Sequence, residues 1–180
     1  MTSFRHSLAA SCAVAAVLAA CGGGSSEEPS TTANSFVAVS ESFRGYHSWT
    51  SFDVSAEASA LGIHDGSVIE YVNTLPPTGS TEFPLATIIV KEATGGTVPH
   101  ELFAMVRRGG NFNATGARGW EWFELENLTD GNDGVKIVWR GFGPPIGEEY
   151  GGDAEGGCNG CHTACADAVC STPLQLANFQ

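Results

Sequence analysis

A mainly β (α+β) domain with an antiparallel sheet is encoded here, on three grounds. Strand-sized segments rich in Val, Ile, Phe, Tyr and Trp follow one another: SVIEYVN (67–73), PLATIIVKE (84–92), ELFAMVRRG (101–109), GWEWFELE (119–126) and GVKIVWRGF (134–142). The connections between them, LPPTGS, ATGG, GGNFNATGARG and TDGNDG, consist of turn formers. They are also too short for the crossover helices that parallel strands need, so neighbours pair antiparallel. Around this sheet we expect an N-terminal helix around residues 36–60 and a short C-terminal helix, Ala-rich over 161–170, that carries the cysteine motif described below.

The residues before the strands read as an export signal. Arg5 and His6 form a weakly basic head, and Leu8 to Ala20 is small and apolar except for Ser11 and Cys12. Such a run has the length of a secretory core and is too short to span a bilayer permanently. It ends Leu18-Ala19-Ala20-Cys21, which resembles a bacterial lipobox. Residues 1–20 are then a lipoprotein signal peptide, and Cys21 carries lipid as the only membrane attachment. Gly22 rather than aspartate after Cys21 points to the outer membrane, with the domain facing the periplasm or the cell surface. Residues 21–35 lack aromatic and large aliphatic side chains and form a flexible tether, so the folded domain is residues 36–180.

The net charge of −12 and the presence of only two lysines, Lys91 and Lys136, argue against nucleic acid as a partner. Acidic residues are dispersed, as expected of a solvated surface.

Four of the six cysteines crowd into GGCNGCHTACADAVC (156–170). Cys158-Asn159-Gly160-Cys161-His162 is C-x-x-C-H, the spacing of c-type haem attachment. Two thiols three positions apart each form a thioether to a haem vinyl group, and the adjacent imidazole ligates iron. Cofactor attachment of this kind takes place outside the cytoplasm, where the leader sends the chain. A four-cysteine zinc site over Cys158, Cys161, Cys165 and Cys170 is a rival, but zinc ligands usually come from separated pairs. The C-x₂-C-x₃-C-x₄-C spacing also fits no common iron–sulfur pattern. With haem on Cys158 and Cys161, Cys165 and Cys170 remain, and a disulfide between them requires any helix to end in between.

A C-x-x-C-H motif at the end of an exported β-domain resembles the cytochrome P-460 family. The likeness runs over residues 43–170 through FRGYHSW (43–49), HDGSVIEYVN (64–73), FPLATIIVKE (83–92), ATGARGWEWFEL (114–125) and the terminal CNGCH. It implies an antiparallel sheet, a homodimer, and one covalent haem c with His162 on the iron and an open distal side. The implied activity is oxidation of hydroxylamine, a small nitrogenous substrate, with electrons passing to a soluble partner. The alternative it implies is a non-catalytic nitric-oxide-binding or electron-transfer protein, as in the related cytochrome c′-beta, whose pocket is lined by phenylalanine. A haem-free, disulfide-stapled lipoprotein is a further alternative.

In the oxidising members a lysine also bonds to the porphyrin, and Lys91 matches that position. Alternation places Lys91 on one face with Leu85, Thr87 and Ile89. Proton transfer needs an acid or base, for which Glu121, Glu124 and Arg44 are the candidates from the matching blocks. Met105 reads as core filler rather than ligand, His47, His64 and His100 as hydrogen-bonding residues, and Trp120, Trp122 and Trp139 as core.

Overall fold

Alternating apolar strands with short turns have one economical solution, a meander, and this chain adopts it. The computed structural model describes residues 34–62, 64–129, 133–146 and 157–180, all within one compact unit, Thr32–Gln180. Its strands are β1 (Thr50–Asp53), β2 (Ser67–Val72), β3 (Ile88–Thr94), β4 (His100–Arg107), β5 (Trp120–Asn127) and β6 (Val135–Gly141). They form a single six-stranded sheet in chain order, with every neighbouring pair antiparallel. The mainly β, antiparallel expectation therefore holds.

Three local differences have physical causes. β1 was not foreseen, because Thr50-Ser51-Phe52-Asp53 is short and mostly polar. β3 begins at Ile88 rather than residue 84: Pro84 lacks an N–H for the ladder, and Ala86 sits at φ 67. The N-terminal segment is not one helix. It forms 3₁₀ turns at Ser40–Phe43 and Tyr46–Ser48, then β1, and only afterwards α1 (Ser55–Leu61). Gly45 at φ 70 separates the turns, while the fully buried Phe43 and Tyr46 hold them against the sheet. Packing here outweighs weak helix propensity. α1 ends where Gly62, at φ 69, donates its N–H to the carbonyls of Ala58 and Ser59.

The C-terminal helix lies earlier than 161–170. α2 is Cys158–His162, and 3₁₀ turns follow at Ala166–Ala168, Thr172–Leu174 and Leu176–Phe179. Cys165 and Cys170 are joined by a disulfide with their Cα atoms 5.1 Å apart. An α-helix continued over five residues would carry those Cα atoms farther apart and turn their side chains to different sides, so the helix stops first.

The sheet has two buried faces. One holds Ile88, Val90, Leu102, Ala104, Val106, Phe123 and Leu125, and it is covered by Ala38, Phe43 and Tyr46 from the N-terminal segment. The other holds Val72, Ile89, Met105, Trp120, Trp122 and Trp139, and it is covered by Ala168, Val169, Leu174 and Leu176. Period-2 geometry fixes this division. Ser35, the last residue of the expected tether, joins the fold as well, through a bridge to Gly109.

Phe43 meets Phe123 edge-on with ring centroids 5.2 Å apart. Phe43→Ala should leave a cavity between the N-terminal turns and the sheet and cost about 3–5 kcal/mol. A urea titration of the variant against wild type measures this directly.

Candidate functional site

α2 is held on the Trp122 face by one side chain, that of Asn159. Its Oδ1 accepts hydrogen bonds from Asn113 Nδ2 (2.8 Å), the Ala117 N–H (3.0 Å) and Trp122 Nε1 (3.0 Å). Its Nδ2 donates to Asn113 Oδ1 (3.1 Å) and to the Phe142 carbonyl (3.0 Å). A side-chain amide has two donors and one acceptor oxygen, and here all are engaged. Gly116 makes room for it, since a Cβ there would collide with the Asn159 amide. The five-residue helix is thereby locked in rotation and height.

So held, Cys158, Cys161 and His162 form part of the wall of a cleft with about 780 Å³ of open space, its mouth included. The rest of the wall comes from alternate residues of the sheet. One cross-strand row places Glu70 opposite Lys91 and Lys91 opposite Phe103; the next places Ile89 opposite Met105 and Met105 opposite Trp122. Trp139, Pro144 and His64 complete it. The wall is mostly apolar, with ionisable groups at a few places.

Lys91 Nζ lies 3.1 Å from Glu70 Oε1. Glu70 is 4% exposed, and its other oxygen, Oε2, has no hydrogen-bond partner. A buried carboxylate oxygen without a donor is costly, which makes it an acceptor for whatever enters the cleft. Sequence reading missed Glu70. Its signal was a charge between Val68 and Val72, on the inward side of an alternating strand.

His162 is the other polar element. Its Nδ1 donates to the Ala168 carbonyl at 2.7 Å, and its ring lies 4.7 Å from that of Trp122. Burial, aided by the Lys91 charge, pushes its pKa down to about 4, so the ring is neutral at pH 7. With Nδ1 engaged, Nε2 is left with a lone pair for a ligand. His64 is also pushed down to about 4, first by burial and then by the Lys91 charge. Its ring packs against Phe103 at 5.3 Å.

The structure thus gathers Lys91, Cys158, Cys161 and His162 at one cleft. Three other expected site residues, Glu121, Glu124 and Arg44, are not among its lining; Glu124 stands in β5 between Phe103 of β4 and Trp139 of β6. Glu121, expected as an acid–base candidate, is 2% exposed on the opposite face. Arg140 Nε and Nη2 reach its two oxygens at 2.7 and 2.8 Å, and Arg108 Nη1 adds a contact at 3.0 Å. The cause is parity: in β5 Glu121 alternates with Trp120 and Trp122 and must face away from them. Arg44 is exposed and pairs with Glu41 at 2.6 Å. Met105 is buried among the tryptophans. His47 contacts Asp133 and Glu92, and His100 contacts Glu92. Cys21, the leader and most of the tether lie outside the described residues.

Comparison with family models, curated proteins and solved structures gives no match for this chain. The chemistry of the cleft has to be read from its own residues. Cys158 and Cys161 stay outside the disulfide as thiols, while Cys165 and Cys170 are consumed by it. The four-thiol zinc set is therefore not available in this fold. Among the described residues, no group of three or more His, Cys, Asp or Glu side chains is arranged to hold a metal ion. Two thiols on one helical turn beside a neutral imidazole, facing an apolar cleft, fit a covalently attached haem.

Two measurements follow. Asn159→Ala would leave the Trp122 indole N–H and the Ala117 N–H without partners and detach α2; a loss of about 2–4 kcal/mol is expected in urea unfolding. His64 takes up a proton near pH 6.5 when unfolded and only near 4 when folded. Between these values the unfolded chain binds more protons, so this group's contribution to stability falls as pH falls from about 6.5 to about 4. The gap in urea midpoint between wild type and His64→Asn should narrow over that window, Asn being suited to the positive φ of this position.

Proposed function

We propose that the chain is an exported, lipid-anchored c-type cytochrome of the cytochrome P-460 type that acts on small nitrogen oxides, with hydroxylamine oxidation as its reaction. The observation that carries this reading is the convergence of the C-x-x-C-H helix on an apolar cleft whose wall also bears a buried carboxylate and a lysine. Cys158 and Cys161 would hold the haem by thioethers and His162 by Nε2. Once bound, haem c supplies one-electron redox chemistry and a binding position for a small ligand.

The protein's own contribution is readable. Ile89, Phe103, Met105, Trp122 and Trp139 exclude water and lower the local dielectric. Glu70 Oε2 accepts a hydrogen bond or a proton from an N–H or O–H group, as hydroxylamine offers and a bare diatomic gas does not. Lys91 pairs with the other oxygen of Glu70 and so fixes the carboxylate in the cleft wall. A soluble electron acceptor, a homodimeric assembly and anchoring through Cys21 belong to the same proposal and rest on the sequence.

A second reading is favoured by one observation. An ammonium engaged with a carboxylate has no lone pair with which to bond to a porphyrin ring. The ion pair, together with Phe103 in the wall, suits a nitric-oxide-binding or electron-carrying protein with unmodified haem, as in the cytochrome c′-beta branch.

Intact mass and a visible spectrum of the exported protein decide first. One haem above polypeptide plus lipid is expected, and colourless protein of bare mass would sink both readings. A red-shifted main band lost in Lys91→Ala marks the ring-bonded enzyme, whereas an ordinary c-haem spectrum in both proteins marks the second reading. For the enzyme, Glu70→Gln should lower kcat for hydroxylamine-dependent reduction of an acceptor dye by about 10²-fold or more.

A further inference from the structure

We infer that the Cys165–Cys170 loop, anchored through Asp167, is a positioning device that fixes which nitrogen of His162 faces the cleft and how strongly it donates. This rests on the haem reading only for its electrochemical test. His162 Nδ1 meets the carbonyl of Ala168, six residues on, at 2.7 Å, and Cys170 Sγ lies 3.8 Å from the same nitrogen. The carbonyl points there because the chain is bent sharply: Asp167 has φ 46 and Ala168 φ 61. Two successive left-handed residues with a Cβ are disfavoured and persist only where their surroundings enforce them.

Two constraints enforce the bend. The disulfide closes the loop on both flanks. The Asp167 carboxylate ties its apex to the sheet end. Oδ2 accepts the Phe83 N–H at 2.6 Å, while Oδ1 accepts Trp120 Nε1 at 3.2 Å and pairs with Arg107 Nη1 at 3.0 Å. These partners come from three separate parts of the chain: Arg107 ends β4, Trp120 begins β5, and Phe83 precedes β3. The anchor therefore registers the loop against the whole Trp122 face, the same face to which Asn159 fixes the other end of α2. Asp167 acts on His162 through the Ala168 carbonyl. A firm Nδ1–H···O=C bond gives the imidazole more anionic character and strengthens Nε2 as a donor to oxidised metal.

The test compares wild type with Asp167→Ala, Asp167→Asn and the double variant Cys165→Ser/Cys170→Ser, each first checked for folding by circular dichroism. In the haem-loaded protein, held at the wild-type midpoint potential, the ferrous-to-ferric ratio should rise on the order of ten-fold in Asp167→Ala and in the double variant. Asp167→Asn keeps an acceptor oxygen and should remain within about three-fold of wild type. A second readout is the ¹H–¹⁵N correlation of the His162 ring, taken on the ferrous carbonyl complex or, if no haem is attached, on the chain itself. Wild type should show Nδ1 protonated, and Asp167→Ala should show a mixture of tautomers. Should Asp167→Ala fail to fold, the double variant carries the same two readouts. An unchanged ratio and an unchanged ring pattern in the folded variants would overturn the inference. Colourless wild-type protein would refute the haem reading, and the ring correlation would still judge the loop.

Discussion

The carboxamide of Asn159 is the contact on which the site depends. It lies inside the motif, between the two thiols, and reaches partners far apart in sequence: Asn113, Ala117, Trp122 and Phe142. A five-residue helix has no independent stability. Its orientation is borrowed from the sheet through these hydrogen bonds, and the directions of Cys158, Cys161 and His162 follow. An aliphatic residue of similar size would fill the volume but leave buried N–H groups unpaired.

The sheet supplies the second constraint. Strict alternation gives it one face for the N-terminal turns and one for the C-terminal segment. The cleft occurs where the second cover is incomplete. There, the cross-strand row of Glu70, Lys91 and Phe103 is left facing the motif helix. A buried ion pair is seldom a gain in stability over apolar packing. Here the pair lies in the wall of the cleft, beside Met105 and Trp122.

Much of the architecture was legible in the sequence because the relevant signals are local. Period-2 alternation and turn residues show five strands, and C-x-x-C-H is a contiguous pattern. Signals fail where tertiary contacts decide. β1 pairs only because β2 offers it an edge, and residues 36–48 form turns because Phe43 and Tyr46 find a pocket. Within the site the same division holds. Glu70 was detectable in principle, by parity with Val68 and Val72. Parity also excludes Glu121 from the face of Trp120 and Trp122. Asn159 and Asp167 carry no local mark, since a short polar residue in a loop reads as a turn former until its distant partners are known.

The order of contacts along the chain has a bearing on how the protein matures. Each strand pairs with its immediate predecessor, so the meander closes through short loops. The contacts made by the tail are long-range, Asn159 with Asn113 and Asp167 with Phe83, as are those of the N-terminal turns, such as Phe43 with Phe123. Loop-closure entropy sets a cost on such contacts. The segment bearing Cys158 and Cys161 contributes no strand of its own, so the sheet surface that receives it is built entirely from the chain that precedes it.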